Sequence, residues 1–180
     1  MAQKVRSSSR FKDRRKHPVT SAGLHGFYRV KIVDPDGRVA GDSGWNHNLI
    51  TNLGLSEYIT KTFMRTAGSC AVSYMAVGST ATLLATNATA LTGQCASSHM
   101  VTVSTGVLTT RASSTAGDTA RFLATFPANG FAAATTIGAA GLHSANTGTI
   151  FAGGTFASSA VATNQAINCT YDVVFVASTS

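Results

Sequence analysis

Between Thr66 and Ser180 the chain carries four charged side chains, Arg111, Asp118, Arg121 and Asp172, over 115 residues. A free-standing domain has about a quarter of its residues charged, and the repulsion keeps it soluble. A body this poor in charge must be surfaced by Ser, Thr, Asn, Gly and Ala. That suits a subunit packed among other subunits better than a dilute enzyme. The positive charge lies elsewhere: Lys4, Arg6, Arg10, Lys12, Arg14, Arg15 and Lys16 are half of the fourteen basic residues and face a single acid, Asp13. Residues 1–17 thus hold six of the seven net positive charges, and the pI of 9.8 is a property of an N-terminal arm.

Residues 1–24 lack hydrophobic periodicity, carry like charge and include Pro18 and Gly23. Such a segment cannot bury enough apolar surface to offset its ordering entropy, so it is expected to be a flexible arm, disordered until a partner binds. Residues 25–180 are long enough for one domain with a sizeable core. Cys70, Cys95 and Cys169 are odd in number and lack CxxC spacing, which argues against a disulfide framework or a thiolate metal cage; they are expected to be reduced and mostly buried. No apolar run approaches the roughly 18 residues of a membrane span, and no apolar stretch follows the basic start as a secretory signal would require, so no membrane contact is expected.

Regular structure is expected to begin in "FYRVKIVDPDGRV". Tyr28, Val30 and Ile32 alternate with Arg29 and Lys31, as in a half-buried strand, and Asp34-Pro35-Asp36-Gly37 reads as a hairpin turn. In "TNLGLSEYITKTFMR" the spacing of Leu55, Tyr58, Ile59 and Phe63 predicts one amphipathic helix within residues 52–65, capped by Thr51 or Asn52 and supported by the Glu57/Lys61 pair. After Cys70, "VSYMAV", "HMVTVS", "ARFLATF", "TIFAGGTF" and "CTYDVVFVA" read as short strands separated by Gly, Asn, Ser and Thr clusters. In the last, Tyr171, Val173 and Phe175 share one face and Asp172, Val174 and Val176 the other. The "STATLLATNATALTGQ" connector reads as a long loop. The predicted fold is mainly β: a single jelly-roll-like β-sandwich with one amphipathic helix and a disordered basic arm.

Chemistry is hard to find in the sequence. His17, His25, His47, His99 and His143 never fall at i, i+4 or beside a cysteine, so no metal is expected. The glycines form neither GxxxxGK[ST] nor GxGxxG, the serines form no GxSxG, and the six acids beyond the arm show no spacing that asks for acid–base work. No enzymatic activity and no cofactor are expected. Trp45, the only tryptophan, is read as a ring buried where the hairpin hands over to the helix; the competing reading makes Trp45, Asn46, His47 and Asn48 a small recognition site.

The segment order "GWNHNLITNLGLSEYI", "YMAVGSTAT", "ARFLATF", "TIGAAGLHS", "GTIFAGGTF" and "YDVVFV" resembles a broad group of tailed-bacteriophage virion structural proteins over roughly residues 27–177. In that group an Asn-Leu-Ile-Thr run starts a helix, a strand ends in a Val-Gly step, and an Ile-x-x-x-Gly-Leu turn leads to the closing strands. Asn48, Leu49, Ile50, Thr51, Val77, Gly78, Ile137, Gly141 and Leu142 stand in those places. The chain departs from the group in lacking an acid before Gly141-Leu142 and in carrying the basic arm. The resemblance implies a non-enzymatic virion protein of a tail, head appendage or capsid decoration, with copies of itself and other virion proteins as partners. The runner-up is a jelly-roll coat protein of a small virus whose basic arm binds packaged nucleic acid. Lys4, Arg6, Arg10, Phe11, Lys12, Arg14, Arg15 and Lys16 are the expected partner-binding residues. Phe11 is the aromatic anchor among the cations.

Overall fold

The computed structural model describes residues 20–56, 72–95, 100–109, 118–144 and 149–179. They form strands β1 (Thr20–Val33), β2 (Val39–Asp42), β3 (Asn46–Ile50), β4 (Tyr74–Gly78), β5 (Val101–Thr102), β6 (Ser104–Thr109), β7 (Thr119–Phe126), β8 (Thr135–His143), β9 (Ile150–Val161) and β10 (Ala166–Thr179), with one helical turn, α1 (Asn52–Gly54). All described pairings are antiparallel, and the strand order is β5-β4-β8-β9-β3-β1-β10-β7-β6, with β2 paired to β1.

The two ends of that order are nearly joined. Only Val103 separates β5, which pairs with β4, from β6, which pairs with β7. One stretch of backbone therefore hydrogen-bonds to both ends of the sheet. β3 turns a second corner: Asn46, His47 and Asn48 pair with β1, and Leu49 and Ile50 with β9. Strands that change partners along their length bend a sheet round on itself. The result is a nearly closed, barrel-like antiparallel sheet. The mainly β expectation holds; the described strands follow one continuous, nearly closed path, which differs somewhat from the expected jelly-roll-like sandwich. Short strands punctuated by turn residues are common to both architectures, so the local pattern does not separate them.

β1 is the spine. It pairs with β10 from Thr20↔Thr179 to Val33↔Ala166. Residues 20–24, expected in the flexible arm, are thus strand, because β10 supplies their backbone partners. As the alternation predicts, Tyr28, Val30 and Ile32 are buried, and Gly37 N–H donates to the Asp34 carbonyl at 2.9 Å to close the β1–β2 hairpin. The Tyr28 ring lies against Gly154 of β9, where a Cβ would come within 2.3 Å of Cε1, and its hydroxyl donates to the Thr155 carbonyl. The glycines of "FAGGTF" make room for that ring.

Two further expectations fail, and β10 is buried on both faces. β8 is a strand, buried from Ile137 to His143 between β4 and β9, where the resemblance implied a turn. Gly and Ala disfavour strands locally, but burial on both sides of the ribbon overrides propensity. On β10, Tyr171 and Val173 enter the core, yet Asp172 and Val174 are also buried and Phe175 is 51% exposed. The pairing of β10 with β7 ends at Val174↔Thr119, so no β7 residue is paired opposite Phe175. Finally, Leu55 is 42% exposed instead of docked. Thr51 does cap α1, accepting from the Gly54 N–H at 2.8 Å. Tyr58, Ile59 and Phe63, with Glu57 and Lys61, lie outside the described residues. The connector after β4 has no named strand, and Leu91 anchors it in a small cluster with Ala76, Ala139 and Ile150.

Candidate functional site

Register assembles two polar groups on opposite faces of the β3–β1 pair. On the outer face, His47 stands opposite Phe27, Phe27 opposite Asp172, and Asp172 opposite Arg121, a row across β3, β1, β10 and β7. Because Tyr171 and Val173 point into the core, Asp172 points out, yet it is fully buried. Arg121 covers it, with Nε 2.7 Å from Oδ1 and a terminal nitrogen 2.8 Å from Oδ2. The hydrogen bond to Asp172 also raises the Arg121 pKa further. The guanidinium carbon lies 5.8 Å from the centre of the Trp45 ring, within cation–π range. His47 and Phe27 rings are 4.5 Å apart. Trp45 is 39% exposed, which corrects the expectation of a buried ring: it is the outer wall of an ion pair rather than core. Both carboxylate oxygens of Asp172 are committed to Arg121, so the cluster acts as a clasp across β10 and β7.

On the inner face, one residue further along β3, Asn48 pairs with Gly26. A Cβ at Gly26 would lie 1.6 Å from Asn48 Oδ1, so only glycine leaves room for the carboxamide. Both Oδ1 and Nδ2 of Asn48 are buried without a hydrogen-bond partner among the described residues. Asn48 borders a cavity of about 410 Å³ together with Leu24, Leu49, Ile50 and Leu55, where β3 leaves β1 for β9. His25 and His47 complete the lining. The pocket is lined mainly by apolar side chains, and the Asn48 carboxamide is packed beneath its surface over Gly26. The sequence offered Asn48 within a competing recognition site; the structure separates it from Trp45 and Asn46. The Asn46 amide donates to the Ser43 and Gly44 carbonyls.

The other ionisable groups serve the sheet. Arg29 holds Asp42 through a 2.9 Å hydrogen bond, lowering the carboxyl to about 2. Arg38 pairs with Asp36, and Gln165 donates to Asp34. Burial pushes the Cys169 thiol up to about 12 and the Tyr171 phenol well above its ordinary value; Cys95, half-buried, is also raised by burial. Among the described residues no three His, Cys, Asp or Glu side chains gather as a metal site. Sequence reasoning missed the Arg121–Asp172 clasp, which spans 51 residues. The available signal was that two of the four charges after Thr66 are of opposite sign and on strands.

Lys4, Arg6, Arg10, Phe11, Lys12, Arg14, Arg15 and Lys16 lie outside the described residues. Compared with protein-family models, curated proteins and solved structures, the chain shows no significant match to any.

Proposed function

We propose that the protein is a non-enzymatic structural component of a bacteriophage virion, in a tail, head appendage or capsid decoration. Its β body contacts further copies of itself, and its basic arm contacts neighbouring virion proteins. In this reading the barrel-like sheet is a sandwich closed at its corners. The observation that carries the proposal is the division of charge. In the body, Arg29, Arg38 and Arg121 are paired with Asp42, Asp36 and Asp172, while the arm holds seven cations against one acid. A body with a net charge of only +1 over residues 18–180 can tile, and the uncompensated arm can reach an acidic groove on a neighbour. Val5, Phe11 and His17 interleave with the cations, and an aromatic among charges suits a protein pocket.

The test is incorporation of full-length variants into the parent particle. Phe11→Ala should reduce incorporation although it removes no charge. If Phe11→Ala were taken up normally while nucleic-acid binding tracked only the number of Lys and Arg and collapsed with salt, the arm would belong to packaged genome and the coat-protein reading would replace this one.

A further inference from the structure

We propose that Asn129, in the turn after β7, is a modification site: the Gly130 backbone nitrogen converts its side-chain carboxamide to aspartate and isoaspartate, with water as the only co-reactant. The inference is independent of the virion reading and of self-association.

The sequence supplies the reacting pair. Of the chain's eight asparagines only Asn129 is followed by glycine. The reaction needs a backbone nitrogen to reach the carboxamide carbon one residue back, and a Cβ on the following residue crowds that approach. Glycine has no Cβ and leaves its nitrogen open.

The structure sets the other asparagines aside and leaves Asn129 reachable. Asn48 is buried over Gly26, while Asn46 and Asn168 are hydrogen-bonded to Ser43 and Thr125. Asn52, Asn87 and Asn164 are exposed, but Leu53, Ala88 and Gln165 follow them. Asn129 is exposed too, and its carboxamide makes no hydrogen bond among the described residues. Pro127, Ala128, Asn129 and Gly130 form a turn in which the Gly130 N–H donates to the Pro127 carbonyl at 3.0 Å. Asn129 holds the third position at φ 63°, the only positive φ of a non-glycine residue among those described. A residue with a side chain is strained in that left-handed conformation. A surface turn closed by one hydrogen bond over strained backbone opens locally at far less cost than global unfolding. Opening releases the Gly130 nitrogen from Pro127.

Every bond in the conversion is accounted for. The Gly130 nitrogen gives its proton to hydroxide and bonds to Asn129 Cγ; the Cγ–Nδ2 bond breaks, and Nδ2 takes a proton from water and leaves as ammonia, regenerating hydroxide. A cyclic succinimide remains. Water then adds to one of its two carbonyls. Breaking the bond from nitrogen to Cγ yields aspartate; breaking the bond from nitrogen to the original main-chain carbonyl yields isoaspartate, whose main chain runs through Cβ and Cγ. Nothing is oxidised or reduced. Either product adds one negative charge and takes residues 18–180 from +1 to zero. Isoaspartate also lengthens a turn whose Asn129 N–H is tied to the Thr163 carbonyl between β9 and β10, so the modified chain should melt below the unmodified one.

Full-length wild type and Asn129→Gly are held in mildly alkaline buffer with and without urea, and peptide mass spectrometry follows each asparagine. Glycine accepts the positive φ and removes the carboxamide, so the variant should fold as wild type does. In native wild type Asn129 should convert several-fold faster than Asn52, Asn87 or Asn164, and faster still in urea, where no turn holds the Gly130 N–H. Hydroxylamine, which attacks the succinimide, should cut wild type between Asn129 and Gly130 and leave Asn129→Gly whole. Asn129 that stays unconverted in buffer while it converts in urea would show that the turn shields the pair, and the proposal would be overturned. Faster conversion at another asparagine, or hydroxylamine cleavage at that bond persisting in Asn129→Gly, would overturn it as well.

Discussion

Phe27 and Gly26 are neighbours on β1, as His47 and Asn48 are on β3, yet the two pairs lead to opposite outcomes. The outer pair belongs to a closed row in which Asp172 is buried and fully engaged by Arg121 beneath Trp45. The inner pair borders a pocket, and its carboxamide is buried over Gly26 with no partner among the described residues. Successive strand residues point to opposite faces, so one step along the chain moves a polar group from an engaged ion-pair row to a buried site without a described partner. Burial alone therefore does not tell which polar group holds the fold; the state of its partners does.

The largest effect should come from opening that ion pair. Arg121→Ala leaves the Asp172 carboxylate buried without its main partner, and breaking a buried ion pair costs about 3–5 kcal/mol. Urea denaturation should show that loss, and adding Asp172→Asn should recover part of it. If Arg121→Ala unfolded at the wild-type midpoint, the clasp would be ornamental. Next, Gly26→Ala forces the Asn48 carboxamide to move, an overpacking of about 1–3 kcal/mol by the same assay.

A smaller contrast separates two stacked tyrosines with ring centres 6.0 Å apart. The Tyr28 hydroxyl donates to the Thr155 carbonyl, whereas the Tyr171 hydroxyl is buried without a partner among the described residues. Tyr171→Phe should therefore raise stability by about 1 kcal/mol while Tyr28→Phe lowers it by about as much, read from paired thermal melts. A Tyr171→Phe protein less stable than wild type would mean that an internal water serves that hydroxyl.

The smallest effect concerns the exposed Arg29–Asp42 pair. Its hydrogen bond depresses the Asp42 pKa from 3.8 to about 2, so its contribution is present above the ordinary value and disappears as pH falls through about 2. Between these values Asp42→Asn should flatten the acid limb of the melting curve slightly. Solvent screening keeps the change small compared with that at Asp172.

Much of the fold is legible in residues that act locally. The alternation of Tyr28, Val30 and Ile32 marks β1, the Asp34-Pro35-Asp36-Gly37 run marks its hairpin, and β-branched and aromatic clusters mark β4, β7, β9 and β10. β8 is not legible, because its Gly and Ala residues signal turns and become strand only when β4 and β9 flank them. Trp45 is misread for a related reason: a lone aromatic points to the core, but its actual partner is Arg121, 76 residues away.

By itself the sequence determined a charge-poor, strand-rich body and an N-terminal segment holding nearly all the net charge, because composition and short-range periodicity follow from residue type alone. Closure of the sheet at β3 and Val103, burial of Asp172 beneath Arg121 and the orphaning of Asn48 were decided by tertiary structure. Each depends on which strand lies beside which, and strand register is set by pairings between residues far apart in the chain.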